Sequence, residues 1–210
     1  MTSGRTAALG FAPHSGWAAL IGLGIDGGMP RILSRGRVEM AEDAESKQPY
    51  HAVEGLEVPQ AAKRLQAYEA EAGRKAHEAL KRVVGELAGD GSRVVGVGIL
   101  ESAGRKGSSL AATLSSHALI HTADGDHFRN ALARAADRCR LPVFRVRARD
   151  LDAEASRGIG QTPRALRAAL QRLGREMGPP WTADQKAAAL LAWLVLTRES
   201  TQGRRPPSGP

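Results

Sequence analysis

One long amphipathic helix constrains the fold of this chain more than any other feature of its sequence. Apolar residues recur at steps of three and four after Pro59, which defines one helix face: Leu65, Tyr68, Ala72, Ala76, Leu80, Val83 and Leu87. Pro59 suits the first turn of a helix, because its missing N–H would have no partner there. The pattern stops at Gly89-Asp90-Gly91, and the β-branched run RVVGVGIL at 93–100 follows it. A long helix that leads into a buried strand is typical of an α/β domain.

The residues before this helix predict a β-hairpin. Residues 17–25 (WAALIGLGI) are apolar, and residues 31–40 (RILSRGRVEM) alternate in the manner of a partner strand. Between them, Gly27, Gly28 and Pro30 favour a turn. The polar stretch that follows this hairpin is expected to be a surface loop.

The second half of the chain adds shorter elements. After a loop at 102–109 that is rich in glycine and serine, the pattern predicts a helix over 126–139, a strand over 141–146 and helices over 163–177 and 182–197. Thr182 is the expected N-cap of the last helix. Hairpin, helix, strand, helix, strand, helix and helix in this order predict an α/β fold with a mixed sheet.

The composition excludes several classes of protein. Hydrophobic residues make up 42% of the chain, which is enough for a core. The single cysteine, Cys139, excludes a disulfide framework and a cysteine-rich zinc site. No apolar run approaches the roughly 20 residues that span a bilayer, and the N-terminus is too short and polar for a clear signal peptide. We therefore expect a cytoplasmic protein with no membrane partner.

The net charge of +8 is unevenly distributed along the chain. Residues 39–71 hold eight acids and three bases, whereas residues 138–176 hold ten arginines and four acids. The guanidinium group matches the geometry of phosphate oxygens, so the second segment predicts contact with nucleic acid. A GC-rich genome that encodes arginine wherever a solvated charge suffices is the alternative explanation.

Several segments, taken in sequence order, carry a resemblance to a known family. The helix DHFRNALARAADRCR runs into the strand LPVF at 141–144, and the basic loop RGIGQ at 157–161 leads into the helix PRALRAALQRL. Two further segments belong to this group, TADQKAAALLAWL and GFAPHSGWAAL. Together they resemble the RuvC family of Holliday-junction resolvases, with the last two similar to its closing helix and its first strand. The resemblance implies a single ribonuclease H-like domain over 10–197 and pairing as a homodimer. The partner is expected to be nucleic acid, with DNA preferred over RNA, and the chain ends are expected to be a flexible N-terminus at 1–9 and a disordered tail at 198–210.

The resemblance also implies a catalytic centre, of which this sequence keeps little. Such enzymes cut a phosphodiester with two divalent ions, Mg²⁺ or Mn²⁺, which several carboxylates hold. The family pattern has one carboxylate on the first strand, one on the fourth and two at the start of the last helix. Here the first position is Ala12, the second falls near Gly98, and Trp181 takes the first of the last two. Asp184 alone matches in type and place.

Two functions follow from this pattern. The preferred one is a divergent RuvC-like nucleic-acid-binding protein that lacks standard two-metal catalysis and needs no cofactor. The alternative is a nuclease with a rearranged site of His14, Glu101 and Asp184, in which the two carboxylates hold Mg²⁺ or Mn²⁺ and the histidine is a ligand or general base. In both, the residues expected to bind phosphates are Arg105, Lys106, Arg157, Arg164 and Lys186.

A second group of candidate metal ligands lies within eleven residues: His117, His121, Asp124, Asp126 and His127. His117 and His121 are four apart, so a helix would place both imidazoles on one face, where they could hold zinc together with a carboxylate. Thr122 and Gly125 interrupt a helical pattern, however. Residues of a polar loop or of the start of the helix at 126, with Asp124 and Asp126 as acids of its first turn, are therefore expected in preference to a metal site or a substrate-facing patch.

Overall fold

Five strands form one mixed sheet in the order β3-β2-β1-β4-β5. The computed structural model describes residues 5–102, 104–105 and 107–202, the last three by their backbone. The strands are β1 (Arg5–His14), β2 (Trp17–Asp26), β3 (Met29–Glu39), β4 (Ser92–Glu101) and β5 (Val143–Arg147). β2 is antiparallel to β1 and β3, whereas β4 is parallel to β1 and β5. The mixed sheet and the N-terminal hairpin are therefore confirmed.

Seven α-helices in the described ranges connect and cover these strands. They are α1 (Ala44–Lys47), α2 (Val58–Gly89), α3 (Leu110–Leu114), α4 (His117–Arg138), α5 (Leu151–Ile159), α6 (Pro163–Met177) and α7 (Ala183–Gln202). Short 3₁₀ turns cover His51–Val53 and Ala148–Asp150. The predicted helices after Pro59 and at 163–177 are confirmed. No described helix is long and apolar enough to cross a membrane.

The sheet separates two apolar cores. On one side, here called the α4 face, α2 and α4 cover Leu9, Phe11 and Ile99. On the other side, the α7 face, α5, α6 and α7 cover the small residues Ala8 and Ala12. Because side chains alternate along a strand, successive residues of β1 belong to opposite cores.

Helix α7 lies very close to the strands beneath it. A Cβ atom at Gly10 of β1 would overlap the carbonyl oxygen of Ala188, and one at Gly98 of β4 would lie 2.9 Å from the Cβ of Leu191. Real Cβ atoms do not approach so closely, so these two positions require glycine. The backbone of α7 therefore occupies the volume directly above β1 and β4.

The structure differs from the sequence-based expectation at both ends of the domain. Strand β1 begins at Arg5, so residues 5–9 belong to the sheet and not to a flexible N-terminus. Helix α7 continues to Gln202, five residues beyond its predicted end, so the first part of the expected tail is helical. Residues 1–4 and 203–210 lie outside the described ranges.

Two internal segments also differ from expectation. Helix α4 begins at His117, nine residues before its predicted start, and Thr122 fits within it by bonding its hydroxyl to the carbonyl of Ala118 at 3.1 Å. Burial of Ile120 and Phe128 anchors this helix. The expected loop at 157–161 overlaps α5, which the sequence analysis does not predict.

Candidate functional site

A histidine and an aspartate meet at the carboxyl end of β1. His14 is the last residue of that strand, and Asp184 lies in the first turn of α7. The Nε2 atom of His14 is 3.0 Å from Oδ1 of Asp184, and the side chains are 43% and 35% exposed. Reciprocal bonds between Thr182 and Gln185 fix this turn, as the predicted N-cap requires. The His14–Asp184 pair is therefore preorganised and open to solvent.

An aromatic stack extends this pair across the hairpin. The rings of His14 and Trp17 lie 4.4 Å apart between centroids, with their planes inclined by 13°. The guanidinium of Arg37 lies 3.9 Å from the centroid of the Trp17 ring and forms an ion pair with Glu39. Sequence reasoning did not link Trp17 to His14, although the two-residue turn between β1 and β2 pairs them directly.

The four carboxylate positions of a two-metal site do not form such a site here. Ala12 is buried in the core of the α7 face, and Gly98 lies under Leu191. The indole Nε1 of Trp181 donates to the carbonyl of Leu170 at 3.0 Å. Asp184 remains, and its oxygen is bonded to His14. One carboxylate and one imidazole do not fit two Mg²⁺ ions, which each need several oxygen ligands.

Glu101 lies on the other side of the sheet from the His14–Asp184 pair. Strand β4 continues through Glu101. Because side chains alternate along a strand, Glu101 lies on the α4 face with Val97 and Ile99, whereas Gly98 lies on the α7 face. Its carboxylate forms an ion pair with Arg145 at 2.5 Å. The structure therefore brings His14 and Asp184 together, and the sheet separates Glu101 from both.

The residues expected to bind phosphates lie on several elements. Arg105 is exposed in the loop after β4, and Arg164 and Lys186 are exposed near the starts of α6 and α7. Arg157 is exposed on α5 and forms an ion pair with Glu154 at 2.8 Å. Lys106 lies outside the described ranges.

Arg157 does not lie near the His14–Asp184 pair. Gly158, which follows Arg157 in α5, packs against Leu194. Leu194 is ten residues beyond Asp184, or about 15 Å along α7. Arg157 therefore lies near a part of α7 that is remote from the pair.

Helix α6 presents an exposed basic face that the sequence analysis recognised only in part. We define the α6 stripe as Arg164, Arg167, Gln171 and Arg175, which recur at steps of three and four. All four are exposed, while the opposite face of α6 buries Leu166, Ala169, Leu170 and Leu173. The spacing of arginines at 164, 167 and 175 is the signal that could have identified the stripe.

The polar residues at 117–127 divide into two groups on α4. His117, His121 and Asp124 approach His51, which the sequence analysis did not single out because a lone histidine in a loop has no informative spacing. Burial raises the pKa of Asp124, although the N–H of Tyr50 and the His51 ring act in the opposite direction.

Asp126 and His127 form the second group, away from that cluster. Asp126 lies 3.7 Å from the guanidinium of Arg129, and the ring of His127 packs edge-on against Phe128. Burial lowers the pKa of His127. The loop alternative is wrong for this segment, because all five residues lie in the first half of one helix, as the helix-start alternative requires.

Comparisons with known proteins identify the fold. No protein-family model and no curated sequence matches this chain. Thermus thermophilus RuvC is similar in structure, with a TM-score of 0.52 and 14% identity over 94% of this chain and 97% of that one. The same protein in complex with a Holliday junction substrate gives 0.52 and 13% over 93% and 96%. At this identity the likeness shows the fold, which is ribonuclease H-like and similar to that of RuvC.

Proposed function

We propose that this chain binds nucleic acid through a ribonuclease H-like domain that has lost the standard two-metal centre. Two observations support the loss. Ala12 and Gly98 stand at positions where the resemblance requires carboxylates, and α7 packs tightly on the second of them. The likeness to RuvC, which has been solved with a Holliday junction substrate, supports DNA as the ligand.

The observation that carries the binding proposal is the α6 stripe. Its three arginines have no carboxylate partner within the described ranges. On α2, by contrast, Arg74 and Arg82 form ion pairs with Glu78 and Glu86 one turn away. A composition bias toward arginine applies to both helices, but the one acid of α6, Glu176, pairs with Arg172 outside the stripe and leaves the stripe arginines without such a partner. Unneutralised guanidinium groups in a row on one helix face are suited to the phosphates of a nucleic acid strand.

Other basic residues are further candidate phosphate contacts in the proposal. Lys186 has no carboxylate partner among the described residues, and neither does Arg105, so both are free to contact phosphates. Arg157 would have to exchange its partner Glu154 for a phosphate. We therefore expect smaller contributions from Arg157 than from the α6 stripe.

A matched pair of triple variants tests the binding surface. Fluorescence anisotropy with a labelled four-way junction, duplex and single strand would compare Arg164→Gln/Arg167→Gln/Arg175→Gln with the α2 control Arg64→Gln/Arg74→Gln/Arg82→Gln. Both remove three charges, but the control arginines are ion-paired. We expect the α6 variant to weaken binding about tenfold or more and to reduce the slope of log K against log salt by about 2 to 3. Equal losses in both variants, or no binding by the parent chain, would contradict the proposal.

A nuclease with a rearranged site is the second candidate, and the His14–Asp184 pair favours it. An imidazole bonded to a carboxylate is suited to accept a proton from water. Mg²⁺ or Mn²⁺ would be the cofactor, with Asp184 as a ligand. Glu101 is less suited to that role because it lies on the other face and is paired with Arg145. This candidate requires cleavage that Asp184→Asn abolishes without loss of binding, and cleavage that survives the substitution would exclude this role.

Pairing with a second copy of the chain is a further proposal, which rests on the resemblance alone. The elution volume in size-exclusion chromatography, with and without a four-way junction, would test it. A monomer under both conditions would contradict it.

A further inference from the structure

Three imidazoles converge where the 3₁₀ turn at His51–Val53 meets the start of α4. His117 and His121 lie one turn apart, with their Nε2 atoms at 3.0 Å. The ring centroid of His51 lies 4.5 Å from that of His121 and 5.2 Å from that of His117. The ring planes are inclined by 61° to 88°, so the rings meet edge to face and do not stack. One ligand atom from each histidine lies within 4.8 Å of the other two.

A buried carboxylate orients one of these rings. Asp124 is one turn beyond His121 on α4, and its side chain is only 4% exposed. One of its oxygens accepts the backbone N–H of Tyr50 at 2.6 Å, and the other contacts Nδ1 of His51. A carboxylate in contact with Nδ1 favours a proton on that nitrogen and leaves Nε2 as the atom with a free lone pair. In many zinc sites a histidine binds the metal through one ring nitrogen and donates the N–H of the other to a carboxylate.

We propose that His51, His117 and His121 form a site for a Zn²⁺ ion, with Asp124 as the residue that positions His51. Ligand nitrogens about 2.0 to 2.1 Å from a tetrahedral zinc ion lie roughly 3.3 Å from each other. The observed separations require only small movements of exposed side chains to reach that geometry. Three imidazoles leave one coordination position for water or another ligand.

The chemistry of this site separates it from any Mg²⁺ site in the same fold. Imidazole nitrogens suit Zn²⁺ and its transition-metal neighbours, whereas Mg²⁺ selects oxygen.

The three histidines lie toward the edge of the sheet where β1 and β4 end, because α4 returns the chain from the end of β4 to the start of β5. They are on the α4 face, whereas the His14–Asp184 pair is on the α7 face. A bound ion would join the loop between α1 and α2 to the start of α4.

Metal titration of the whole chain after treatment with EDTA tests the site. We expect one equivalent of Zn²⁺ to bind, Co²⁺ to give the visible absorption of a four-coordinate ion, and Mg²⁺ in excess not to compete. At a free Zn²⁺ concentration about 100-fold above Kd, Tm should rise by roughly 5 to 10 °C. The thermal shift is independent of any activity and of nucleic-acid binding.

Variants assign the ligands. His117→Gln and His121→Gln replace exposed side chains, so both should fold, which circular dichroism would verify, and each should weaken Zn²⁺ binding at least 100-fold. Asp124→Asn should weaken it about 10- to 100-fold. The control is His77→Gln on α2, because His77 contacts Cys139 at the far end of α4. Binding that His121→Gln leaves unchanged, equal losses in the control, or no binding by the parent chain would overturn the proposal, and the three histidines would then be a hydrogen-bonded polar cluster only.

Discussion

The two faces of the sheet differ in how closely helices pack at the carboxyl ends of β1 and β4. On the α7 face, glycine and alanine bring the backbone of α7 directly onto β1 and β4, so the strand ends hold a single exposed His14–Asp184 pair. On the α4 face, larger side chains such as Phe11 and Phe128 separate the layers, and polar residues cluster at the start of α4. The likeness to RuvC covers 94% of this chain, yet the three histidines that could hold a metal ion lie on the α4 face. Fold similarity therefore does not transfer a site, because local packing decides whether the site has room.

The largest expected effect tests whether the α7 face has room for a carboxylate. Gly98→Glu restores an acid at the fourth-strand position, but its Cβ would press on Leu191 and its charge would be buried. We expect destabilisation of roughly 4 kcal/mol or more, and a fall in Tm of at least about 8 °C. The control Gly36→Glu places the same residue on β3, where the nearest atom is 4.0 Å from the added Cβ. Equal Tm values for the two variants would show that α7 does not close this face.

A smaller effect concerns a buried titratable group of the α4 face. Burial lowers the pKa of His127, so below its ordinary value of 6.5 the unfolded chain takes up a proton that the folded chain does not. Stability is therefore lost as the pH falls from about 6.5 toward the lowered folded-state value, by about 1.4 kcal/mol for each unit between the two. Urea unfolding at pH 7.5 and 5.5 should show a smaller loss for His127→Leu than for the parent chain. An identical loss in both proteins would show that His127 is not responsible.

The smallest expected effect is at the His14–Asp184 pair. Both side chains are more than one-third exposed, so solvent screens their attraction and the pair contributes about 0 to 1 kcal/mol. Asp184→Asn should therefore change Tm by less than about 4 °C in a thermal melt. A much larger fall would mean that Asp184 has a structural role in α7, and the contrast with Gly98→Glu would weaken.

Local sequence patterns predicted most of the elements. Regular apolar spacing predicts which residues are buried, and it is present in the hairpin around Gly27 and Gly28, the helix after Pro59 and the helix at 163–177. The start of α4 was missed because Thr122 and Gly125 are poor helix formers, and tertiary packing of Ile120 overrides that preference.

The candidate sites depended on contacts that a single sequence does not reveal. His51 is 66 positions before His117, and no spacing rule joins a loop histidine to a distant helix. The sequence did not show whether β4 ends before Glu101, and only a strand that continues through Glu101 places it on the opposite face from Gly98. The α6 stripe, in contrast, follows from helical spacing alone.

A paired binding and cleavage assay tests the central claim most directly. Labelled duplex, single-stranded and four-way-junction DNA would be incubated with the chain in Mg²⁺, Mn²⁺ or EDTA, and each sample would be divided between a native gel and a denaturing gel. We predict a shifted band that weakens with salt, persists in EDTA and yields no cut product. Cut product that disappears with EDTA would contradict it and would establish a rebuilt nuclease site, and the absence of any shift would contradict nucleic-acid binding itself.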